Sequence, residues 1–129
     1  MKIRVQSGLP FAEVRVRNRG RQITLANMLL DTGSAGTILA VDRVSGISLE
    51  LEPDDAVHRI RGVGGSEFVF AKRLDSVALD DLSVADFEAE VGAMDYGFEI
   101  DGILGLDFLS QVGALIDLSR LEVYGPGLT

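Results

Sequence analysis

Apolar and polar residues alternate through "FAEVRVRN", residues 11–18, with Val14 and Val16 interleaved with Arg15 and Arg17. A period of two predicts a strand with one buried face. "RGR" then supplies a turn, and "QITLANMLL" returns as a strand that becomes apolar on both faces. The two segments predict a hairpin whose second strand enters the core. "HRIRGVGGSEFVFA" predicts a second hairpin turning at Gly62, Val63, Gly64 and Gly65, where three glycines permit a close backbone approach to a ligand. "DSVAL", a "DDL" turn and "SVADFEAEV" predict a third. In "GLDFLSQVG" the residues Leu106, Leu109 and Gln111 break the alternation, and Gly113 is placed to close a two-turn helix. "ALIDL" and "LEVY" form a last hairpin across Ser119 and Arg120. The expectation is an all-β fold: a closed or nearly closed β-barrel of hairpins with one short helix near the C-terminus.

Composition narrows this only a little. The 129 residues are expected to form one domain, residues 1–129, burying about two thirds of the unfolded surface. No apolar run reaches the roughly 18 residues of a membrane span, and the amino terminus lacks the apolar stretch of a signal peptide. The sequence holds no cysteine, which excludes disulfides and thiolate metal sites. A soluble cytoplasmic protein with no membrane partner is therefore expected.

The net charge of −8 argues against a nucleic-acid partner. Six of the twelve basic residues lie within residues 1–21, where Arg15, Arg17, Arg19 and Arg21 read as the solvent face of a strand. Residues 75–101 hold nine acidic and no basic residues. They match no metal-ligand spacing and read as a solvated acidic face, so no metal and no cofactor is expected.

The position that needs a chemical explanation is Asp31, at the end of the apolar run in "NMLLDTGSAGTIL". A haloacid-dehalogenase phosphatase needs a second aspartate two residues on, where Gly33 stands. Actin-like sugar kinases need two large α/β domains. A P-loop needs a lysine after its glycines, and "GVGG" has none. A serine hydrolase needs a base. The one histidine, His58, has no nucleophile-elbow pattern near it and reads as a surface residue. Carboxylate chemistry remains.

Asp-Thr-Gly alone is a weak signal, but its context is specific. A strand enters Asp31, a glycine-tipped hairpin follows, and "DGILGLDFL" comes later. In that order the chain resembles the retropepsins, the single-domain aspartic proteases of retroviruses, and their bacterial and eukaryotic relatives. The resemblance runs from about Pro10 to Tyr124 and implies the retropepsin-like acid protease fold. It gives Asp31 the role of activating water and Thr32 that of tying two facing catalytic loops together. Gly33 would let the loop turn, and Ser34 would hydrogen-bond the outer oxygen of the carboxylate and move the pH optimum toward acid. Gly62, Val63, Gly64 and Gly65 would form a flap over a peptide substrate. Ile103 and Leu104, before Gly105, would brace the catalytic loop and line an apolar subsite with Leu29. Thr37 and Asp107 match positions that support one another, which predicts a hydrogen bond between them. Where viral members often carry an acidic pair after the catalytic core, this chain has Ala35 and Gly36.

The chemistry implied needs two carboxylates sharing one proton. The chain holds no second Asp-Thr-Gly or Asp-Ser-Gly, so the partner aspartate must come from another copy in a homodimer. The residues after "ALIDL" have the length to form a sheet between subunits, and the sequence leaves another pairing open. Two bland alternatives stand beside the peptidase: a structural turn aspartate in an inactive barrel, and a barrel that binds peptides or serves as a dimeric scaffold without cleaving.

Overall fold

The computed structural model describes residues 1–62, 65–94 and 99–127, with side chains except those of residues 58, 60–62 and 65–67. The first predicted hairpin is present. Strand β2 (Leu9–Asn18) pairs antiparallel with β3 (Arg21–Leu30), and a short β1 (Arg4–Gln6) lies on its outer side. Arg19 and Gly20 join β2 to β3, both at positive φ, the backbone of a two-residue turn that matches strand twist. Val14 and Val16 are buried as the alternation requires, with Arg15 and Arg17 outside. Asn18 breaks the pattern: it is buried, and its Nδ2 donates to Ile47 O at 2.8 Å. That bond offsets the cost of burying the amide.

After β3 come β4 (Ile38–Ala40), a one-turn helix α1 (Val41–Val44) and a 3-10 turn (Ser45–Ile47). Sequence periodicity predicts one helix and misses α1. A four-residue helix completes barely one turn, too little for a 3.6-residue period to register. Strand β5 (Val57–Gly62) then pairs with β6 (Gly65–Leu79), from Val57↔Phe70 to Gly62↔Gly65. The predicted turn residues Val63 and Gly64 lie outside the described residues.

The second and third predicted hairpins share a strand. β6 runs unbroken for 15 residues and pairs with β7 (Leu82–Gly92) from Val69↔Gly92 to Leu79↔Leu82. The polar "AKR" between the two segments is not a break. Arg73 faces solvent, and the Lys72 ammonium is matched by Glu52 at 2.6 Å and Asp55 at 2.8 Å.

The chain continues through β8 (Gly102–Leu104) and α2 (Leu106–Gln111), then β9 (Leu115–Asp117) pairs with β10 (Glu122–Tyr124) as the last hairpin. Gly113, at φ +64°, ends α2 as predicted. The outer side of β10 is taken by the chain's own amino terminus, with Val123 N donating to Met1 O at 2.9 Å and Ile3 N to Leu121 O at 2.8 Å. β10 is thus paired on both sides within the chain, one of the pairings the sequence left open.

The main sheet has the order β1-β2-β3-β8-β4-β7-β6-β5 and is closed by β2 pairing with β6 at Arg15↔Ala78, Val16↔Val77 and Arg17↔Ser76. Closure removes the free edges of β2 and β6 there. Inside lies a core that includes Val16, Leu39, Leu74, Phe87, Leu104 and Phe108. Phe108 meets Phe87 edge-on at 5.9 Å between ring centroids. Burying such a ring contributes about 1.5–3 kcal/mol, so α2 is anchored to the barrel through Phe108.

Candidate active site

The site grows from an unusual arrangement of three strands. β8 lies between β3, to which it is parallel, and β4, to which it is antiparallel. The register Met28↔Gly102, Leu29↔Ile103, Leu30↔Leu104 sorts the side chains onto two faces. Leu30, Leu104, Leu39 and Val91 turn into the main core. Leu29, Ile103 and Ile38 occupy the opposite face, where Leu29 and Ile103 join a second small apolar cluster with Phe11 and Ile100. Ile103 and Leu29 therefore share a surface as expected. Leu104 does not join them: its side chain is fully buried in the core, and only its carbonyl reaches the loop.

That carbonyl accepts the Asp31 amide at 3.1 Å, one rung beyond the β3–β8 ladder. Asp31 is thus held by its backbone as β3 ends. Its Oδ1 accepts the Gly33 amide at 2.9 Å, and its carbonyl accepts the Ser34 amide at 3.1 Å. Both bonds curl the chain at once, the local physics that favours aspartate in tight turns. The carboxylate is half-buried, whereas Thr32 and Gly33 are exposed at the tip. Thr32 makes no side-chain hydrogen bond among the described residues.

Ser34 departs from expectation. Its hydroxyl donates to Gly36 O at 2.8 Å, not to Asp31. A hydroxyl has one proton to give, and the carbonyl two residues on takes it. The carboxylate is oriented by the backbone of Gly33 instead.

The loop is clamped from behind by the junction of β8 and α2. Ser34 O accepts the Leu106 amide at 2.7 Å. Thr37, 1% exposed, accepts the Gly105 amide on Oγ1 at 3.0 Å and donates from Oγ1 to Asp107 Oδ1 at 2.8 Å. The Thr37 amide donates to Asp107 Oδ2 at 3.2 Å, and Oδ1 also accepts the Phe108 amide at 2.8 Å. Asp107 therefore serves as an acceptor in the first turn of α2 and for the Asp31 loop together. The approach at Gly105 is so close that a Cβ there would lie 2.2 Å from Gly36 O.

Two acidic residues near these strands carry no motif. Asp101, 5% exposed, accepts the Asn27 amide on Oδ2 at 3.0 Å, while Oδ1 faces Arg43 Nε at 3.4 Å. Glu99 and Asp101 hold the Arg43 guanidinium more firmly protonated than usual. Glu90, at the end of β7, places Oε1 3.3 Å from where a Cβ on Gly36 would stand. The signal for Glu90 was its register, which no single segment contains. Among the described residues no group of three His, Asp or Glu side chains could hold a metal ion, and no helix is long and apolar enough to cross a membrane.

A closed barrel with an Asp-Thr-Gly loop set on a strand crossing defines the class, and comparison gives the family. Residues 12–108 match the aspartyl protease family, and the chain belongs to it. A retropepsin-like aspartic protease from Rickettsia conorii, known from its crystal structure, superposes with a TM-score of 0.67 over 94% of this chain and 93% of that one. The two are 19% identical, and the likeness shows that this chain has the retropepsin-like fold. No curated protein sequence matches it.

Proposed function

We propose that the chain, acting as one domain, is an aspartic endopeptidase that works as a homodimer. The observation that carries this reading is the Asp31 carboxylate itself. It stands half-exposed at the tip of a loop clamped from behind, with Oδ1 oriented by an amide and Oδ2 without a hydrogen-bond partner among the described residues. A structural turn aspartate needs the first contact but not the clamp.

In the dimer two copies of Asp31 would face one another and share one proton, since two like charges at that distance cannot both ionise cheaply. The ionised member takes a proton from a water held between them as the water oxygen bonds to the peptide carbonyl carbon. The protonated member gives its proton to the carbonyl oxygen. The tetrahedral intermediate then collapses: a proton passes to the nitrogen, the C–N bond breaks, and a carboxyl and an amine leave. The pair titrates as a unit. Thr32, exposed beside Asp31, would reach across to the second loop. The strands ending at Gly62 and Gly65 would carry the flap, with Val63 and Gly64 between them, and Leu29 and Ile103 would meet apolar substrate side chains.

Because both sides of β10 are occupied within the chain, the second copy would meet the Asp31 loop and the neighbouring Leu106, an exposed apolar residue at 46%. Covering Leu106 removes apolar surface from water.

The test is to incubate wild type and Asp31→Asn with a diverse peptide pool between pH 4 and 8 and read the products by mass spectrometry, with sizing by light scattering. Cleavage by the wild type alone, from a species of twice the 13.8 kDa chain mass, is expected. Equal cleavage by both proteins, or by neither, would sink the enzyme and favour a peptide-binding or scaffold role. A strict monomer at high concentration would sink the two-aspartate mechanism.

A further inference from the structure

The basic residues near the amino terminus take no part in the site at Asp31. Arg15 and Arg17 lie on β2 at the seam where β2 pairs with β6 and the barrel closes. Register carries each of them across four strands, β3, β2, β6 and β7. One row runs Thr24–Arg15–Ala78–Ser83 and the other Gln22–Arg17–Ser76–Ala85. Directly paired residues project from the same face of a sheet. Between the two rows runs Ile23–Val16–Val77–Val84, whose valines are buried, so both rows face outward.

Side-chain size makes this outer face concave. Ala78 and Ser76 are short, and they stand on β6 beside the long arginines of β2. The result is a cleft of about 110 Å³ lined by Arg15, Arg17, Gln22, Ser76, Ala78 and Ser83. Roughly 10–15 Å³ suffices for one water, so the cleft has room for a small oxyanion. Thr24 pairs with Arg15, and Asp31 stands seven residues beyond it, roughly 20 Å at about 3.3 Å per residue. The cleft is therefore separate from the Asp31 loop.

Its lining is rich in donors and holds no acid. Arg15 Nη2 donates to Asp80 O at 2.7 Å. It thus takes a carbonyl of the β6–β7 turn and not a carboxylate, and its charge stays uncompensated. The Arg17 side chain has no hydrogen bond or ion pair among the described residues. Nearby acids are engaged elsewhere: Asp75 accepts the Gly20 amide at 2.9 Å, and Asp86 faces Arg73 at 3.5 Å. The Ser76 and Ser83 hydroxyls and the Gln22 amide add neutral donors. Two like charges side by side repel, and an anion between them replaces that repulsion with attraction.

We infer that this cleft is a phosphate-binding site, taking one doubly charged phosphate group between Arg15 and Arg17. Guanidinium forks bind phosphate oxygens bidentately, and the charge of the dianion matches two arginines. A carboxylate, with one charge, leaves one arginine unmatched. The net charge of −8 opposes an anion at long range. Salt screens that field beyond about 8–10 Å, whereas the two arginines act in contact. A bound phosphate joins β2 to β6 across the seam and so favours the closed barrel. The site does not depend on the protease reading.

The experiment titrates the full chain with inorganic phosphate at low salt and about pH 7.5, where phosphate is mostly a dianion, and follows the backbone amides by NMR. Saturable shifts should appear on β2, β6 and β7 around the cleft and not at the Asp31 loop. Arg15→Gln and Arg17→Gln should each weaken affinity about tenfold, and the double variant should abolish binding. Arg21→Gln removes the same charge outside the cleft and should stay within about twofold. Sodium chloride at matched ionic strength is the control for screening. A serine peptide and its phosphorylated form identify the source. Tighter binding of the phosphopeptide than of inorganic phosphate assigns the site to a phosphorylated protein, and binding no tighter assigns it to free phosphate or a small phosphoester. Both results support the site. Shifts that chloride reproduces, that never saturate, or that Arg21→Gln weakens as much as Arg17→Gln overturn the inference.

Discussion

Thr37 gives both of its hydrogen-bond donors to one carboxylate, that of Asp107, across 70 residues of sequence. Its hydroxyl oxygen accepts a third bond from the Gly105 amide. One buried threonine thus joins the Asp31 loop, the end of β8 and the first turn of α2. Such a network is worth most when every member is satisfied.

Thr37→Val keeps the shape and removes the hydroxyl, leaving the buried Gly105 amide without its acceptor. A loss of about 1–3 kcal/mol in urea unfolding is expected. Thr37→Ser should lose less than half of that, because its hydroxyl can make the same bonds. Equal losses in the two variants would show that the methyl group, not the network, carries the stability.

Backbone contact at the strand crossing leaves no room for side chains. A Cβ at Gly105 would lie 2.2 Å from Gly36 O, and one at Gly102 would lie 2.4 Å from Ile38 O. Backbone cannot swing aside as a side chain can, so Gly105→Ala and Gly102→Ala should each cost about 3 kcal/mol or more. Gly46→Ala, where nothing lies within 4 Å, is the control and should change stability by less than about 0.5 kcal/mol. Thermal melts of the three variants would separate close approach from a general intolerance of alanine.

The Ser34 hydroxyl is spent on Gly36 O, so it does not tune the Asp31 carboxylate directly. Ser34→Ala should leave the pH–rate profile where it is and cost about 0.5–1.5 kcal/mol of stability. An alkaline shift of the acid limb in rate assays would restore the role expected from the sequence.

Lys72 joins the segment before β5 to β6 through Glu52 and Asp55. The Lys72 hydrogen bond, followed by the Glu52 amide, holds the Asp55 carboxyl below its ordinary 3.8. The Lys72 hydrogen bond also lowers Glu52, with Arg19 adding to it. Desolvation pulls Lys72 down, but its bonds to Asp55 and Glu52 outweigh that, and the net shift is upward. A depressed carboxyl contributes stability that is complete above its unfolded value and lost as pH falls through the folded one. The acids therefore weaken this tie below about pH 3.8, and Lys72 weakens it only in strong alkali. Asp55→Asn should lower stability at pH 7 yet flatten its decline between pH 5 and 2, measured by urea unfolding at each pH. A decline as steep as wild type would assign the acid sensitivity elsewhere.

Local sequence determined the elements whose cause is local. Alternation in "FAEVRVRN" placed Val14 and Val16 inside, Arg19-Gly20 and Asp80-Asp81 closed two-residue turns, and Gly113 ended α2. Asp31 needed only its next three residues to form its turn, and the motifs in their order carried the resemblance to the family. Tertiary structure decided whatever depended on strand register. It merged two predicted hairpins through one β6, paired both sides of β10 within the chain, and sent the side chain of Leu104 into the core while its carbonyl held Asp31. It also turned the Ser34 hydroxyl toward Gly36 and brought Glu90 beside the loop. A polar group takes the partner that folding places within about 3 Å of it, and for these residues that partner was set by how strands pair, not by what precedes or follows them in the chain.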